Sequence, residues 1–345
     1  MDKTEVGRLC SLLDWHDVNK EAGMEAAVVG IDIGQASLVA AMGEMGTLRT
    51  FANGPAGHAR LVRWVHHQAG ALVVLEATGG YHLGIWEALE AAGIAVAVCH
   101  PTRVRFWMKG QGQRAKTDQV DARMLARYGR QERPAPTPIP SETRRTIAAL
   151  LDRRGQLVKQ RTAEKNRHRQ TLVPAVQMGI AAHVAVLSGM IRDVERQVRH
   201  LVRSEPELAV LVARLRTVPG IAELTATRLA IELPELGTVS RKRLAALIGV
   251  APVDRQSGKH RARASIGGGR ASLRHGLYEP VLTTIRCDPT FHAHYVQLTN
   301  RGKSTKQARI ACMRRLLGIL NVMVRDELTW SETKVGKGGF LPHVA

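Results

Sequence analysis

Two acidic residues stand at the ends of strongly apolar runs that favour β-strand. Asp32 follows Ala-Val-Val-Gly-Ile at 27–31, and Glu76 follows Ala-Leu-Val-Val-Leu at 71–75. A run this hydrophobic predicts a central strand, buried on both faces of a sheet. A carboxylate at the end of such a strand is costly unless it is solvated, paired or bound to a metal. We therefore expect a sheet that carries acids where its strands end.

A second acidic pair lies at the start of a helical pattern. Asp118 and Asp121 are three residues apart within Lys-Thr-Asp-Gln-Val-Asp-Ala-Arg-Met-Leu-Ala at 116–126, so they share one helix face. The ordinary explanations are a favourable charge at a helix N-terminus for this pair, and a turn for Asp32. All four carboxylates together predict a site for hard divalent metals, which take oxygen ligands, as in two-metal phosphoryl transfer.

The charge balance favours a polyanionic partner. The 345 residues include 50 Lys+Arg against 30 Asp+Glu, a formal net charge of +20, so nucleic acid is the first candidate and an anionic membrane surface the second. The charged N-terminus and the lack of an uninterrupted apolar run predict neither a signal peptide nor a membrane span. The four cysteines are far apart, which predicts reduced thiols in a cytoplasmic protein: Cys10, Cys99, Cys287 and Cys312.

The periodicity predicts an α/β domain followed by helices. We expect a helical leader at 1–27, an α/β domain at 28–140, a long helical segment at 141–216, a compact domain at 217–330 and a tail at 331–345. Strands are predicted at 27–33, 37–42, 48–51, 71–76 and 94–98, with helices near 56–69, 82–92 and 118–131. This order predicts a mixed sheet with flanking helices. Four prolines within 133–140 predict a linker.

Two basic segments could contact nucleic acid. Residues 142–169 carry nine Lys/Arg against three acids, which indicates either a solvated helix face or a nucleic-acid-binding arm. Residues 252–275 carry six Lys/Arg against one acid in a polar, glycine-rich loop that could wrap a phosphodiester. Val-Pro-Gly-Ile at 218–221 is similar to the turn of a helix-hairpin-helix element, where glycine lets backbone amides approach a phosphate.

Three serines in the second basic segment compete for a chemical role. Ser257 precedes Gly258 in a predicted tight turn that would expose its hydroxyl group. Ser265 and Ser272 are the competitors, and serines in such segments more often form turns than act as nucleophiles.

A different enzyme class must be weighed. Residues 30–37 also resemble the first phosphate loop of sugar-kinase and actin-like ATPases. That interpretation needs a second phosphate loop of Asp-Gly-Gly type, which the sequence lacks, and it leaves residues 116–123 unexplained.

Four motifs together resemble those of the DEDD insertion-sequence transposases. They are Gly-Ile-Asp at 30–32, Leu-Glu-Ala-Thr-Gly at 75–79, Lys-Thr-Asp-x-x-Asp-Ala-Arg at 116–123 and Val-Pro-Gly-Ile at 218–221. That group includes bridge-RNA-guided recombinases and site-specific DNA invertases, and the resemblance runs from about residue 28 to 325. It implies a RuvC-like RNase H fold, a helical coiled-coil segment and a small, mostly helical C-terminal transposase domain.

The resemblance also implies residue roles. The family's metal-binding acids fall on four positions, which implies Mg²⁺ or Mn²⁺: Asp32, Glu76, Asp118 and Asp121. Its catalytic serine lies in Pro-x-x-x-x-Ser-Gly, which Pro252 to Gly258 matches, so Ser257 becomes the candidate nucleophile and Ser265 and Ser272 do not. The leader and the three glycines at 267–269 depart from the family pattern.

The function implied is a recombinase that moves an insertion sequence. It would cut and rejoin DNA through a serine–phosphodiester intermediate, as a dimer or tetramer, with a structured guide RNA pairing to donor and target DNA. Two alternatives stay open. One is a Holliday-junction resolvase or other nuclease that activates water, and the other is an architectural DNA-binding protein without catalysis.

Overall fold

The computed structural model describes residues 27–68, 70–113, 115, 117–257, 260–335 and 339–340, with the backbone alone at 254–257, 260–264, 335 and 339. The chain divides into two compact units, one ending at Pro140 and the next beginning at Ser141. The leader predicted at 1–27 lies outside the described residues except for Ala27, as does much of the tail.

A five-stranded mixed sheet forms the centre of the N-terminal unit. Its strands are β1 (Val28–Ile33), β2 (Ser37–Met42), β3 (Leu48–Ala52), β4 (Leu72–Glu76) and β5 (Ala95–Cys99), in the order β3-β2-β1-β4-β5. The first three strands form an antiparallel meander, whereas β4 and β5 run parallel to β1. The predicted mixed sheet is confirmed, and each strand end lies within one residue of its predicted position.

Helices cover both faces of this sheet. They are α1 (Pro55–His66), α2 (Leu83–Ala91), α3 (Pro101–Gly110) and α4 (Asp118–Glu132). Leu61 of α1 and Ile85 of α2 share a core with Val73 of β4. On the opposite face, Leu125 of α4 packs with Val74. Both faces of β4 are therefore buried, which explains its uninterrupted apolar sequence.

The proline-rich stretch is not a free linker. The amide of Thr137 donates to the carbonyl oxygen of Val96 at 2.7 Å, and the amide of Val98 donates to Thr137 Oγ1 at 3.1 Å. Ile139 packs against the core of the N-terminal unit. The stretch satisfies backbone groups of β5, the outer strand of the sheet, and composition could not reveal that docking.

A long helical hairpin opens the C-terminal unit. It consists of helices α5 (Glu142–Gln170) and α6 (Pro174–Ser204), within the helical segment predicted at 141–216. The Arg144–Glu205 and Arg154–Glu195 ion pairs both measure 2.6 Å. Since the earlier arginine pairs with the later glutamate, the helices run antiparallel. The coiled-coil description of this hairpin stays a prediction.

The first half of α6 is unusually apolar. Residues 174–191 contain no Asp, Glu, Lys or Arg, and by length and composition α6 could cross a membrane, although one such helix is weak evidence. Uncharged polar residues interrupt this stretch, so its sequence does not indicate a membrane span. Four large side chains at the turn between the helices are exposed, and we call them the hairpin tip: Leu172, Val173, Val176 and Met178.

Shorter elements complete the C-terminal unit, which is mostly helical as predicted. They are α7 (Pro206–Arg216), α8 (Glu223–Glu232), α9 (Arg241–Ile248), β6 (Val253–Ser257), β7 (His260–Ser265), α10 (Ala271–Gly276), α11 (Tyr278–Cys287), α12 (Pro289–Asn300), α13 (Thr305–Arg325), β8 (Lys334–Val335) and β9 (Gly339–Phe340). One core extends from Ile147 of α5 to Phe340 of β9 and includes Leu316 of α13. The domain boundaries predicted at 216 and 330 stay predictions.

The Val-Pro-Gly-Ile turn joins α7 to α8 but packs against α11. Gly220 has φ 89°, and a β-carbon there would lie 2.8 Å from the carbonyl oxygen of Pro280 and 2.7 Å from Thr283 Cβ. Thr284 Oγ1 also donates to the carbonyl oxygen of Pro219 at 2.8 Å. The glycine therefore permits close helix packing here, and the predicted approach of its backbone amides to a phosphate stays a prediction.

Candidate active site

The sheet brings the two strand-end acids to one edge. β1 and β4 are parallel, and Ile31 pairs with Leu75, so Asp32 and Glu76 follow at adjacent positions at the C-terminal edge. Because successive side chains alternate between faces, Asp32 shares its face with Gly30 two residues earlier.

Helix α4 packs against that face at unusually close range. A β-carbon on Gly30 would lie 2.1 Å from the carbonyl oxygen of Ala122 and 2.3 Å from the nitrogen of Ala126. One on Gly129 would lie 2.6 Å from Val28 Cγ1. The later residue of α4 meets the earlier residue of β1, so the helix runs antiparallel to the strand.

This direction carries the first turn of α4 toward the acidic strand end. Ala122 lies against Gly30, and the turn before it holds Asp118 and Asp121. The helix starts there because the Thr117 side chain accepts a hydrogen bond from the amide of Val120 at 3.3 Å. The helical pair therefore reaches the vicinity of Asp32, two residues beyond Gly30.

The electrostatics of Asp32 link all four acids. Burial and then the negative charges of Asp118, Asp121 and Glu76 raise the pKa of Asp32 to about 6. Repulsion of this kind is what several carboxylates at one site produce. Asp118 is exposed, whereas the other three are half-buried. The four acids predicted from the sequence are thus electrostatic neighbours.

The donor set fits a hard divalent cation chemically. Four carboxylates supply oxygen ligands and negative charge, and the raised pKa of Asp32 marks charge that a cation would neutralise. Within the described part of the chain, however, no three His, Cys, Asp or Glu residues are grouped closely enough to hold one ion. The acids are gathered at one edge without forming a complete coordination shell.

Two residues that the sequence analysis missed join the loops after the acidic strands. Asn53 Nδ2 donates to the carbonyl oxygens of Gly34 at 2.8 Å and Tyr81 at 3.2 Å. His58 Nε2 lies 2.7 Å from Asn53 Oδ1, and since that oxygen is an acceptor, Nε2 donates. Burial lowers the pKa of His58. Asn53-Gly-Pro looks like an ordinary turn in sequence, so only the fold reveals this bridge.

Ser257 belongs to the C-terminal unit. The segment predicted as a loop instead forms an antiparallel hairpin, in which Ser257 ends β6 and pairs with His260 at the start of β7. Gly258 lies outside the described residues. Of the competitors, Ser265 pairs with Val253 at the other end of the hairpin. The roles that the resemblance implies, metal-binding acids and Ser257 as nucleophile, stay predictions.

Basic residues next to this hairpin have structural partners. Arg270 binds both carboxylate oxygens of Glu235 at 2.6 Å. Burial raises the pKa of Glu235, but the hydrogen bonds from Arg270, a backbone hydrogen bond and the charges of Arg270 and Arg243 together outweigh it, so the pKa is lowered. Arg274 donates to the carbonyl oxygens of Ile248 at 2.9 Å and Gly268 at 2.8 Å. Ser272 donates to a carboxylate oxygen of Glu232 at 2.8 Å, so these groups also hold the fold.

Sequence comparisons identify the class of protein. A DEDD transposase model of the IS110 group matches residues 29–176, and a model of the IS116/IS110/IS902 transposases matches residues 212–296. The mixed sheet with its edge of acids is consistent with an RNase H-like domain, and the chain is a transposase. More particularly, it belongs to the IS116/IS110/IS902 transposase family. The resemblance to ATPases is therefore set aside.

Individual relatives agree with this assignment. The pilin gene-inverting proteins of Moraxella lacunata and Moraxella bovis are each 31% identical to this chain over 321 residues, which is 88% of this chain and 97% of theirs. The 42 kDa protein of insertion element IS900 from Mycobacterium paratuberculosis is 29% identical over 166 residues, 47% of this chain and 40% of that protein.

Proposed function

We propose that this protein is a DNA recombinase that moves or inverts a DNA segment through a covalent serine–phosphodiester intermediate. The observation that carries the proposal is the gathering of acids at one sheet edge, where Asp32 and Glu76 follow paired positions of two parallel strands. The first turn of α4, with Asp118 and Asp121, approaches the same edge, and the raised pKa of Asp32 agrees with this arrangement. The relatives that are named for inverting pilin genes support DNA as the substrate. The N-terminal unit is then a RuvC-like nuclease domain.

The metal in this proposal is Mg²⁺ or Mn²⁺. Its ligands are Asp32, Glu76, Asp118 and Asp121, whose oxygens suit such cations. When bound, the metal supplies positive charge to the scissile phosphate and to the attacking and leaving oxygens. The first turn of α4 brings two of these ligands, and its position depends on the close contact of α4 with Gly30.

The chemical step uses the hydroxyl of Ser257. Its oxygen forms a bond to phosphorus while the bond from phosphorus to one deoxyribose oxygen breaks. The serine proton passes to solvent or a base, and the leaving oxygen takes up a proton. The ester retains a phosphodiester bond, so attack by another deoxyribose hydroxyl can rejoin strands and release the serine. Such a weak nucleophile needs activation at neutral pH.

Guide RNA and self-association complete the proposal. The RNA rests on the family resemblance and on the net charge of +20, which suits any nucleic acid. Self-association is supported by the hairpin tip, where Leu172 and Met178 are 89% and 70% exposed. Clustered apolar side chains in solvent commonly mark interaction sites.

The decisive experiment traps the covalent intermediate. Full-length protein is incubated with labelled DNA and Mg²⁺, denatured and extracted with phenol, so that DNA bonded to protein leaves the aqueous phase. Wild type and Ser265→Ala should form the adduct, whereas Ser257→Ala should lose adduct and cleavage while retaining DNA binding. Asp118→Asn should also lose both activities without loss of folding, because its side chain is exposed.

Each other outcome selects a different function. An adduct in Ser257→Ala would move the nucleophile to another hydroxyl group. Cleavage by wild type without any adduct would favour a nuclease that activates water. Binding without cleavage, under conditions that support the nuclease chemistry, would favour an architectural protein.

A further inference from the structure

A basic cavity lies in the C-terminal unit, away from the acidic residues in sequence. Its volume is about 740 Å³, and α9, α12 and α13 contribute to its walls. Five cationic side chains and one histidine line it: Arg241, Lys242, Lys303, Arg314, Arg315 and His294. None of the lining residues found in the described part of the chain is acidic.

The positive charges that line the cavity repel one another. Arg241 and Lys242 lie in the first turn of α9, which has no acid, although a helix N-terminus favours negative charge. Among the described residues, Lys242, Lys303 and Arg314 have no ion-pair partner. This contrasts with Arg270, which is neutralised by Glu235. An anionic ligand would relieve the repulsion among them.

The pKa of His294 reflects the positive charge around it. Burial, followed by the charges of Arg315 and Arg301, lowers the pKa of this histidine. The Arg315 guanidinium lies 5.7 Å from the centre of the Phe291 ring and 5.5 Å from that of Phe340, contacts that favour a fixed cation. At least one charge in the cavity is therefore held in place by the fold.

The cavity also has an apolar part. Ala245 and Leu298 are buried, and Ala311 and Pro252 contribute further carbon surface. A duplex backbone presents phosphates on a convex surface, but a volume in the usual range for small-molecule sites can admit one nucleotide unit. Cations suit its phosphates, and apolar surface suits its sugar and base.

We propose that this cavity binds one unpaired nucleotide of a nucleic-acid strand, with phosphates on its basic side chains and the sugar and base on its apolar surface. The proposal rests on nucleic acid being the partner of the protein, but not on the serine chemistry. Pro252, which lines the cavity, directly precedes β6. A nucleic-acid strand bound in the cavity would therefore lie near the base of the β6–β7 hairpin, whose first strand ends at Ser257.

The test measures binding of labelled single strands to the full-length protein by fluorescence anisotropy. The probes are dT12, U12 and a 12-residue abasic deoxyribose-phosphate strand, and the pocket variant is Lys303→Gln/Arg314→Gln. We expect dT12 or U12 binding to weaken about tenfold, and the salt slope to decrease by about 1.4, since each lost phosphate contact on a single strand contributes about 0.7. The better probe identifies DNA or RNA as the source.

The matched control carries the same charge change outside the cavity. Lys306 and Lys109 are exposed and do not line the cavity, so Lys306→Gln/Lys109→Gln should weaken dT12 or U12 binding less than threefold. Equal losses in both variants would overturn the cavity as a specific site. Equal binding of the abasic strand and the better of dT12 and U12 by wild type would overturn its apolar role.

A measurement on the wild type avoids dependence on folded variants. The His294 imidazole resonance, assigned with His294→Gln, is titrated with and without the better-binding strand. Its pKa should rise on binding, because phosphates offset the positive charge of Arg315 and the other cavity cations and that of the neighbouring Arg301. No change at saturation overturns the proposal. If wild type binds no nucleic acid at all, the proposed function fails as well. If it forms the covalent adduct while both pocket tests fail, only the cavity proposal is lost.

Discussion

At Asp32, one carboxyl group connects the proposed metal binding with stability. Its pKa is raised from 3.8 to about 6 by burial and by three neighbouring carboxylates. The folded state therefore favours the protonated form. The contribution of Asp32 to the free energy of unfolding is fully present below pH 3.8, falls as the pH rises to about 6, and is constant above that range. At neutral pH without metal, the ionised group is destabilising.

Asp32→Asn should consequently stabilise the metal-free protein. We expect the Tm of the N-terminal unit in EDTA at pH 7.5 to rise by roughly 2–4 °C, the effect of about 1 kcal/mol in a domain of this size, after allowing for screening at a half-buried group. Added Mg²⁺ should raise the wild-type Tm but not that of the variant. Differential scanning calorimetry measures both effects. A lower Tm for the variant in EDTA would contradict the repulsion described here.

The same residue shows what sequence could and could not establish. Asp32 and Glu76 follow from apolar runs, because a strand buried on both faces of a sheet has an uninterrupted apolar sequence. Their link to Asp118 depends on α4 approaching Gly30, and that contact is long-range. Asn53 and His58 were missed for a related reason. Asn53 binds backbone carbonyl groups, which leave no trace in residue type, and His58 contacts the side-chain oxygen of Asn53.

Among the elements, the position of α4 depends most on glycine, because Gly30 of β1 and Gly129 of α4 have no β-carbon at the contact between helix and strand. A β-carbon at Gly30 would meet helix backbone at 2.1 Å, and backbone cannot move aside as a flexible side chain can. Gly30→Ala should therefore displace α4, destabilise the N-terminal unit by roughly 1–3 kcal/mol, the usual range for overpacking, and weaken stabilisation by Mg²⁺. Urea unfolding with and without Mg²⁺ provides the measurement.

Gly54→Ala is the matched control for that substitution. Gly54 has extended backbone at φ −168°, and a β-carbon there would have nothing within 4 Å. Its unfolding and its response to Mg²⁺ should resemble those of wild type. If both alanine variants behave alike, the close contact does not position α4.

Helix α3 and the β6–β7 hairpin are two elements that the sequence pattern does not predict. α3 buries only Val104 among its described side chains, so it lacks the amphipathic repeat that identified α4. The hairpin carries polar residues on both strands and an irregular register between Val253 and Arg255. Polar strands of this kind resemble loops in sequence, and backbone pairing alone defines them.

The hairpin tip leads to a prediction about assembly. Leu172→Gln/Met178→Gln should weaken self-association by at least roughly tenfold, since burying one such side chain contributes about 1.5–3 kcal/mol. Met45→Gln is the control, because Met45 is also highly exposed, at 87%, but lies in the N-terminal unit. Sedimentation velocity over a range of concentrations measures the effect. Unchanged association with loss of vesicle binding would instead assign the tip to a membrane.

Across the whole molecule, the candidate acids and the candidate nucleophile lie in different units of the chain. The acidic edge lies in the N-terminal unit, whereas Ser257 and the basic cavity lie in the C-terminal unit. Part of the charge of α5 is neutralised internally, as Arg144 and Arg154 pair with glutamates of α6. Lys159 and Lys165 remain exposed. Fewer cationic side chains of the predicted basic arm are therefore available to nucleic acid than the count of nine Lys/Arg in residues 142–169 suggests.

Nucleic-acid affinity should fall steeply with salt, because each neutralised phosphate releases counterions. With six or more phosphate contacts on duplex DNA, the affinity should decrease about 10³-fold or more between roughly 50 and 200 mM salt. Lys159→Gln/Lys165→Gln should lower the slope by about 1.8, at 0.9 per contact. Arg144→Gln should leave the slope unchanged, because Arg144 is paired with Glu205 at 2.6 Å. Anisotropy titrations at several salt concentrations distinguish these variants, and a flat wild-type response would favour a protein or small-molecule partner.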